Sequence, residues 1–151
     1  MITDADIKFF EENKKVLEAL KGKKDYLPCH LKKGLSTGCK NLGATCYLNS
    51  LIQCLFHCKE FRSLILYAKE VNAPIIKEIQ LLFAKLALTD RPAITTASLI
   101  ESFGWNKRQS MEQHDAQEFF LILMDILSQS SDTMNKSICG VIQGVMTGTM
   151  H

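Results

Sequence analysis

The 151-residue sequence has only 3 prolines and no low-complexity tract, so a long disordered segment is not indicated. It has no apolar run near the roughly 18 residues that span a bilayer. The longest runs, such as Phe119 to Met124, stop far short, and no membrane association is expected. The start, Met-Ile-Thr-Asp-Ala-Asp, lacks the basic residues and apolar stretch of a secretion signal. The expected setting is therefore intracellular, cytoplasm and/or nucleus, with the 6 cysteines free rather than bridged. Charge of one sign is also scarce. A net charge of +2 gives no strong pull toward nucleic acid or an anionic membrane. The mild cluster of Lys21, Lys23, Lys24, Lys32 and Lys33 reads as a solvated linker. No internal repeat is visible. What is present is ordinary globular material, 46% hydrophobic and 23% charged, enough for one domain with a modest core.

Apolar spacing predicts a mainly helical chain. Ile7, Phe10, Leu17 and Leu20 mark a helix from about Thr3 to Leu20, ended by Gly22. A second helix runs from Cys46 to about His57, with Leu48, Leu51, Ile52 and Leu55 as its buried face. A third covers about Glu60 to Glu70. Pro74 suits the first position of a fourth, striped by Ile75, Ile76, Ile79, Leu82, Phe83 and Leu86. Asp90-Arg91-Pro92 is a break, and Thr96 to Phe103 is a short helix ending near Gly104. Ser110 and Gln113 fit a capping box that opens a helix to about Ser128. Its core face is expected to be Ala116, Phe119, Phe120, Leu123 and Leu127, with Asp115, Glu118 and Asp125 on another face. The Gly- and Thr-rich end, Ile138 to Thr149, has room for one or two short strands.

The segment with the most chemistry is Gly38-Cys39-Lys40-Asn41-Leu42-Gly43-Ala44-Thr45-Cys46-Tyr47-Leu48-Asn49-Ser50-Leu51-Ile52-Gln53. It sets Cys46 where a Gly-containing loop becomes a helix, with Thr45 as a plausible cap. A thiol at a helix N-terminus meets unpaired N–H groups and the positive end of the dipole, which favours the thiolate. Asn41, five residues upstream, offers an amide donor for a developing oxyanion. A buried packing cysteine and a turn asparagine are the plain alternatives. Cys29, Cys39, Cys54, Cys58 and Cys139 have no such support. Cys54, His57 and Cys58 offer at most a partial ligand set, and His114 with Glu118 lacks a third ligand, so neither a metal nor a cofactor is expected.

That segment resembles the cysteine box of the ubiquitin-specific proteases. Asn41, Gly43, Thr45, Cys46, Tyr47, Asn49, Ser50 and Gln53 all fall where that family has them. Gln113-His114-Asp115-Ala116-Gln117-Glu118-Phe119 resembles the family's second box, and Ser102-Phe103-Gly104-Trp105 resembles the lead-in of one branch. The resemblance runs from about Gly34 onward. It implies a helical thumb of a papain-like cysteine protease domain, with the palm and fingers absent. Residues 1–33 would be an N-terminal helix and basic linker, and residues 34–151 a partial catalytic domain. It further implies thiol hydrolysis of the bond after the last glycine of ubiquitin. Cys46 would be the nucleophile and Asn41 the oxyanion donor. Asp115 and Glu118 would grip the arginine-bearing ubiquitin tail; a merely solvated helix face is the alternative.

A cysteine hydrolase also needs an imidazole base. The family's Gly-His-Tyr core is not found among His30, His57, His114 and His151. The chain alone is therefore expected to be an incomplete, inactive catalytic domain. The alternatives are a non-catalytic ubiquitin-binding or regulatory piece, or a helical scaffold without ubiquitin contact. Thumb helices without a palm would leave some of Phe119, Phe120, Leu123 and the Leu51–Leu55 ridge exposed, or covered by the N-terminal helix or by a partner molecule, a route to self-association.

Overall fold

The computed structural model of the chain describes residues 37–68, 74–89, 91–105, 115–130 and 132–142. The expected N-terminal helix, the basic linker and the Ser110–Gln113 capping box lie outside them. Within them the architecture is mainly helical. The elements are β1 (Gly38–Cys39), α1 (Cys46–His57), α2 (Lys59–Leu66), α3 (Pro74–Leu88), β2 (Ala93–Ile94), α4 (Ala97–Ser102), α5 (Ala116–Gln129) and α6 (Asp132–Ile142).

Helix α1 is central to the packing. Leu48 and Ile52 are fully buried, and Leu55 and Phe56 extend the same apolar face. The face meets α2 and α5, while α3 packs on α2 and α4, and α6 packs on α5 and α2. Phe83 of α3 sits edge-on to Phe56 at 5.4 Å and to Phe61 at 6.4 Å, joining three helices in one aromatic contact. Arg62 is buried, yet its guanidinium donates to the Phe56 carbonyl at 2.7 Å and lies 5.4 Å over the Phe56 ring. It thus places a cation on one of the last carbonyls of α1, where the helix dipole favours positive charge. Gln80 of α3 donates to the carbonyls of Ile65 and Ala68, tying down the end of α2. That helix stops at Leu66, short of the expected Glu70, with Tyr67 and Ala68 closing it through short-range carbonyl contacts.

Two glycines stand where only glycine is comfortable. Gly43 has φ +117° in the loop before α1, and Gly104 has φ +72° just past α4, whose last turn it closes through a bond to Glu101 O.

Two sequence expectations are corrected. The helix of the second motif does not run on from Ser110, because Asp115 is extended (φ −70°, ψ 132°) and is itself the N-cap of α5. Residues 138–142 are helical in α6 rather than strand, since Met134 and Ile138 recur at helical spacing and bury against the core. The apolar residues expected to be exposed or covered are not the most exposed ones, and the N-terminal helix expected as one cover lies outside the described residues. Phe119, Leu123 and Leu55 are buried and Phe120 is half-buried, whereas Leu121 (59% exposed) and Ile122 (37%) face outward. Leu121 lies two residues past Phe119, roughly 200° around the helix, so burying one exposes the other. Of the rest of the expected core face, Leu127 is buried and Ala116 is exposed in the first turn.

The strand pair has no clear signal in the sequence. Gly38 pairs with Ala93 and Cys39 with Ile94 in parallel, with Gly38 N donating to Pro92 O and Lys40 N to Ile94 O, both at 2.8 Å. Two residues per strand are too few for alternation to register. The pairing nonetheless anchors the chain immediately before Asn41.

Candidate functional site

Cys46 is the first residue of α1 and is exposed, with Thr45 at the N-cap position. Thr45 does not cap. Its hydroxyl turns back into the loop, accepting from Leu42 N at 3.0 Å and donating to Asn41 Oδ1 at 3.3 Å. The Asn41 carboxamide is thereby held against the residue that precedes the thiol. Gly43, between them, supplies the backbone turn that lets the loop close on itself.

The rest of the loop is held from α1. Asn49 Nδ2 donates to Lys40 O at 3.1 Å, and Asn49 Oδ1 accepts from Thr96 Oγ1 at 3.2 Å. Gln53 Nε2 donates to Thr37 O at 2.9 Å and approaches the Cys39 sulfur at 3.6 Å. Thr45, Asn49 and Gln53 are spaced i, i+4, i+8 and share one side of the helix. They bind the strand and loop that carry Asn41, and Asn49 also reaches the start of α4. Asn49 and Gln53 belong to the family pattern, but nothing in the sequence assigns either of them a role. Their partners lie up to 47 positions away, and only the fold supplies them.

Tyr47 links this site to the second motif. Its ring meets Phe119 edge-on at 5.7 Å, and Phe119 in turn meets Phe103 at a tilt at 5.2 Å and Trp105 edge-on at 5.9 Å. Phe119 is fully buried and adjoins Glu118 in the chain, just as Tyr47 adjoins Cys46. The ring contact therefore brings the start of α5 beside the start of α1. Burial, and secondarily the neighbouring Cys46, push the Tyr47 hydroxyl above its usual pKa, so it stays protonated and uncharged.

Asp115 and Glu118 are both exposed at that start. Asp115 has a structural task as well, since its Oδ1 accepts from Gln117 N at 2.6 Å and so caps α5. Glu118 lies in the first turn, where its charge suits the helix dipole. A shallow groove runs between β1 and α1, lined by Thr37, Gly38, Cys39, Asn49, Ser50 and Gln53, one turn along the helix from Cys46. The Cys39 thiol is pushed up in pKa by burial, and the Gln53 hydrogen bond partly offsets this.

His57 is the one histidine among the described residues. It is exposed at the far end of α1, edge-on to Phe56 at 5.3 Å, roughly 16 Å from Cys46 by helical rise. Cys39, Cys46, Cys54, Cys58 and Cys139 are free. Among the described residues no three of His, Cys, Asp and Glu gather as a metal site, and no helix is long and apolar enough to cross a membrane.

Residues 37–151 match the model of the family described as ubiquitin carboxyl-terminal hydrolase. The chain is 39% identical over 108 residues to human ubiquitin carboxyl-terminal hydrolase 40, covering 62% of this chain and 9% of that one. It is 38% identical over 118 residues to ubiquitin carboxyl-terminal hydrolase 7 of Drosophila melanogaster, 75% of this chain and 10% of the other. To ubiquitin carboxyl-terminal hydrolase 15 of Saccharomyces cerevisiae it is 41% identical over 97 residues, 62% and 8% respectively. The chain thus spans about a tenth of the length of these curated relatives. With the family pattern extending from β1 past the last described helix, the chain belongs to the ubiquitin carboxyl-terminal hydrolases, as a member of the ubiquitin-specific proteases.

Proposed function

We propose that the chain carries the nucleophile half of a deubiquitinating thiol protease. Cys46 is the nucleophile, Asn41 the oxyanion donor, and Asp115 with Glu118 the grip on the ubiquitin tail. The observation that carries this reading is local: an exposed thiol at the first residue of α1, next to the residue that holds Asn41. The helices then correspond to the thumb of a papain-like domain, and residues 34–151 to a partial catalytic domain. In the proposed reaction an imidazole other than His57 takes the Cys46 thiol proton, the sulfur bonds to the carbonyl carbon of the terminal glycine, and the carbonyl electron pair moves to oxygen. Asn41 Nδ2 donates to that oxygen. The C–N bond then breaks, and the amine leaves with a proton from an imidazolium. Water hydrolyses the thioester, releasing the ubiquitin carboxylate and restoring the thiol.

The position of His57 supports a second reading. It sits too far along α1 to act as the base, so turnover needs an imidazole from elsewhere. On that reading the chain binds ubiquitin, or regulates its processing, without hydrolysing it. Incubation with a fluorogenic ubiquitin amide, alongside ubiquitin titration followed by NMR, separates the two. We expect binding without turnover for the chain alone. Asp115→Asn with Glu118→Gln should weaken that binding about tenfold while leaving the helix capped, because Asn caps as well as Asp. Turnover lost on Cys46→Ala would show that a base is present in the chain and would overturn the second reading. Absence of any ubiquitin contact would overturn both.

A further inference from the structure

Thr45 is 1% exposed, and its hydroxyl is committed at both ends. Leu42 N–H can only donate, so the Thr45 oxygen is the acceptor there. The single hydroxyl proton is then left for Asn41. An NH2 turned toward Thr45 could donate to the second lone pair of the hydroxyl oxygen, but the buried hydroxyl proton would then have no acceptor among the described residues, so the Asn41 atom facing Thr45 is the oxygen. The amide nitrogen is consequently turned the other way, and no further hydrogen bond to Asn41 occurs among the described residues.

We infer that Thr45 is a positioning residue for the thiol chemistry: it fixes which way round the Asn41 carboxamide stands, so that the nitrogen and not the oxygen is presented to the reacting carbonyl. The inference rests on the assignment of Cys46 and Asn41 proposed above. A carboxamide rotated by half a turn occupies nearly the same volume, so packing alone does not choose between the two states. The hydroxyl chooses. Without it the oxygen is presented part of the time, and a donor to the developing negative charge is replaced by a second acceptor, which repels it. The loop supports this device: Gly43 at φ +117° permits the tight return that lets one hydroxyl reach both Leu42 and Asn41.

The test uses the 151-residue chain and ubiquitin ending in an aldehyde, carbon-13 labelled at that carbon. The Cys46 thiol gives its proton to water as the sulfur bonds to the aldehyde carbon, the C=O pair moves to oxygen, and that oxygen takes a proton back from water; no group leaves and nothing is oxidised. Asn41→Ala and Thr45→Val should each reduce adduct formation by tenfold or more, and Thr45→Ser should retain it. The double variant should be no worse than Asn41→Ala alone, because Thr45 acts through Asn41. An equal further loss from Thr45→Val in the Asn41→Ala background would assign Thr45 a general folding role and overturn the inference. A second readout does not depend on reactivity. In nitrogen-15 spectra the Asn41 Nδ2 signals should shift or double in Thr45→Val, and in Thr45→Ala if valine is not accepted, but not in Thr45→Ser. Unchanged signals overturn the inference whether or not the aldehyde reacts. Signals that respond in a chain whose Cys46 forms no adduct would sink the nucleophile assignment and leave the amide orientation standing.

Discussion

Helix α1 carries two polar stripes one residue apart, and they differ in kind. Thr45, Asn49 and Gln53 are buried or half-buried, and each is hydrogen-bonded to backbone or side chains of other segments. Cys46, Ser50 and Cys54 follow the same i, i+4, i+8 spacing but are all exposed. A turn of about 100° separates fixing from presenting. The first stripe holds β1 and the Asn41 loop in place. The second offers a thiol to whatever approaches. The lesson is that polar residues beside a proposed nucleophile need not touch substrate. Here they hold the groups that would.

The comparison is broken most forcefully by emptying the inner stripe. Asn49→Ala removes bonds to Lys40 O and Thr96 Oγ1, and Gln53→Ala removes the bond to Thr37 O. The exposed Lys40 carbonyl is left to water, but Thr96 Oγ1 and Thr37 O are left partly buried without replacement, and each variant should cost about 1 to 3 kcal/mol in chemical denaturation. Ser50→Ala and Cys54→Ser, on the outer stripe, should stay within about 0.5 kcal/mol. Equal costs on both stripes would remove the distinction.

Much of the helical frame is legible in sequence because it is local. Leu48, Ile52 and Leu55 announce α1 by spacing, Pro74 opens α3, and Gly104 closes α4. The site is legible only as candidate residues. Nothing local says that the Thr45 hydroxyl turns away from the helix, because capping and loop contacts use the same atom. Nor does it say that Asp115, rather than Ser110, starts α5. Both residue types cap helices, and the Tyr47–Phe119 contact that docks this helix joins positions 72 apart in sequence. Tertiary contact of that range is invisible to periodicity.

A smaller effect sharpens the contrast through pH. The Cys39 thiol, beside Gln53, has its pKa raised in the folded chain above the ordinary 9.0. The folded state therefore holds its proton more tightly than the unfolded state. The stability linked to it is fully present below the unfolded value and is lost as pH rises through the folded one. Cys39→Ala should accordingly flatten the fall in melting temperature between neutral pH and about pH 10. Cys54→Ser should leave that slope as it is. An identical slope for Cys39→Ala would show that the groove does not shield the thiol.

The most direct test of the central claim sets the two exposed thiols of the outer stripe against each other. The 151-residue chain is treated with ubiquitin bearing a thiol-reactive C-terminus, and in parallel with iodoacetamide, and the modified cysteines are mapped by peptide mass spectrometry. Cys46 and Cys54 are both exposed on one side of α1, so a small reagent has access to each. The account predicts that iodoacetamide modifies both, while the ubiquitin reagent modifies Cys46 alone and fails on Cys46→Ser. Ubiquitin attached at Cys54, or divided between the two as iodoacetamide is, would contradict it.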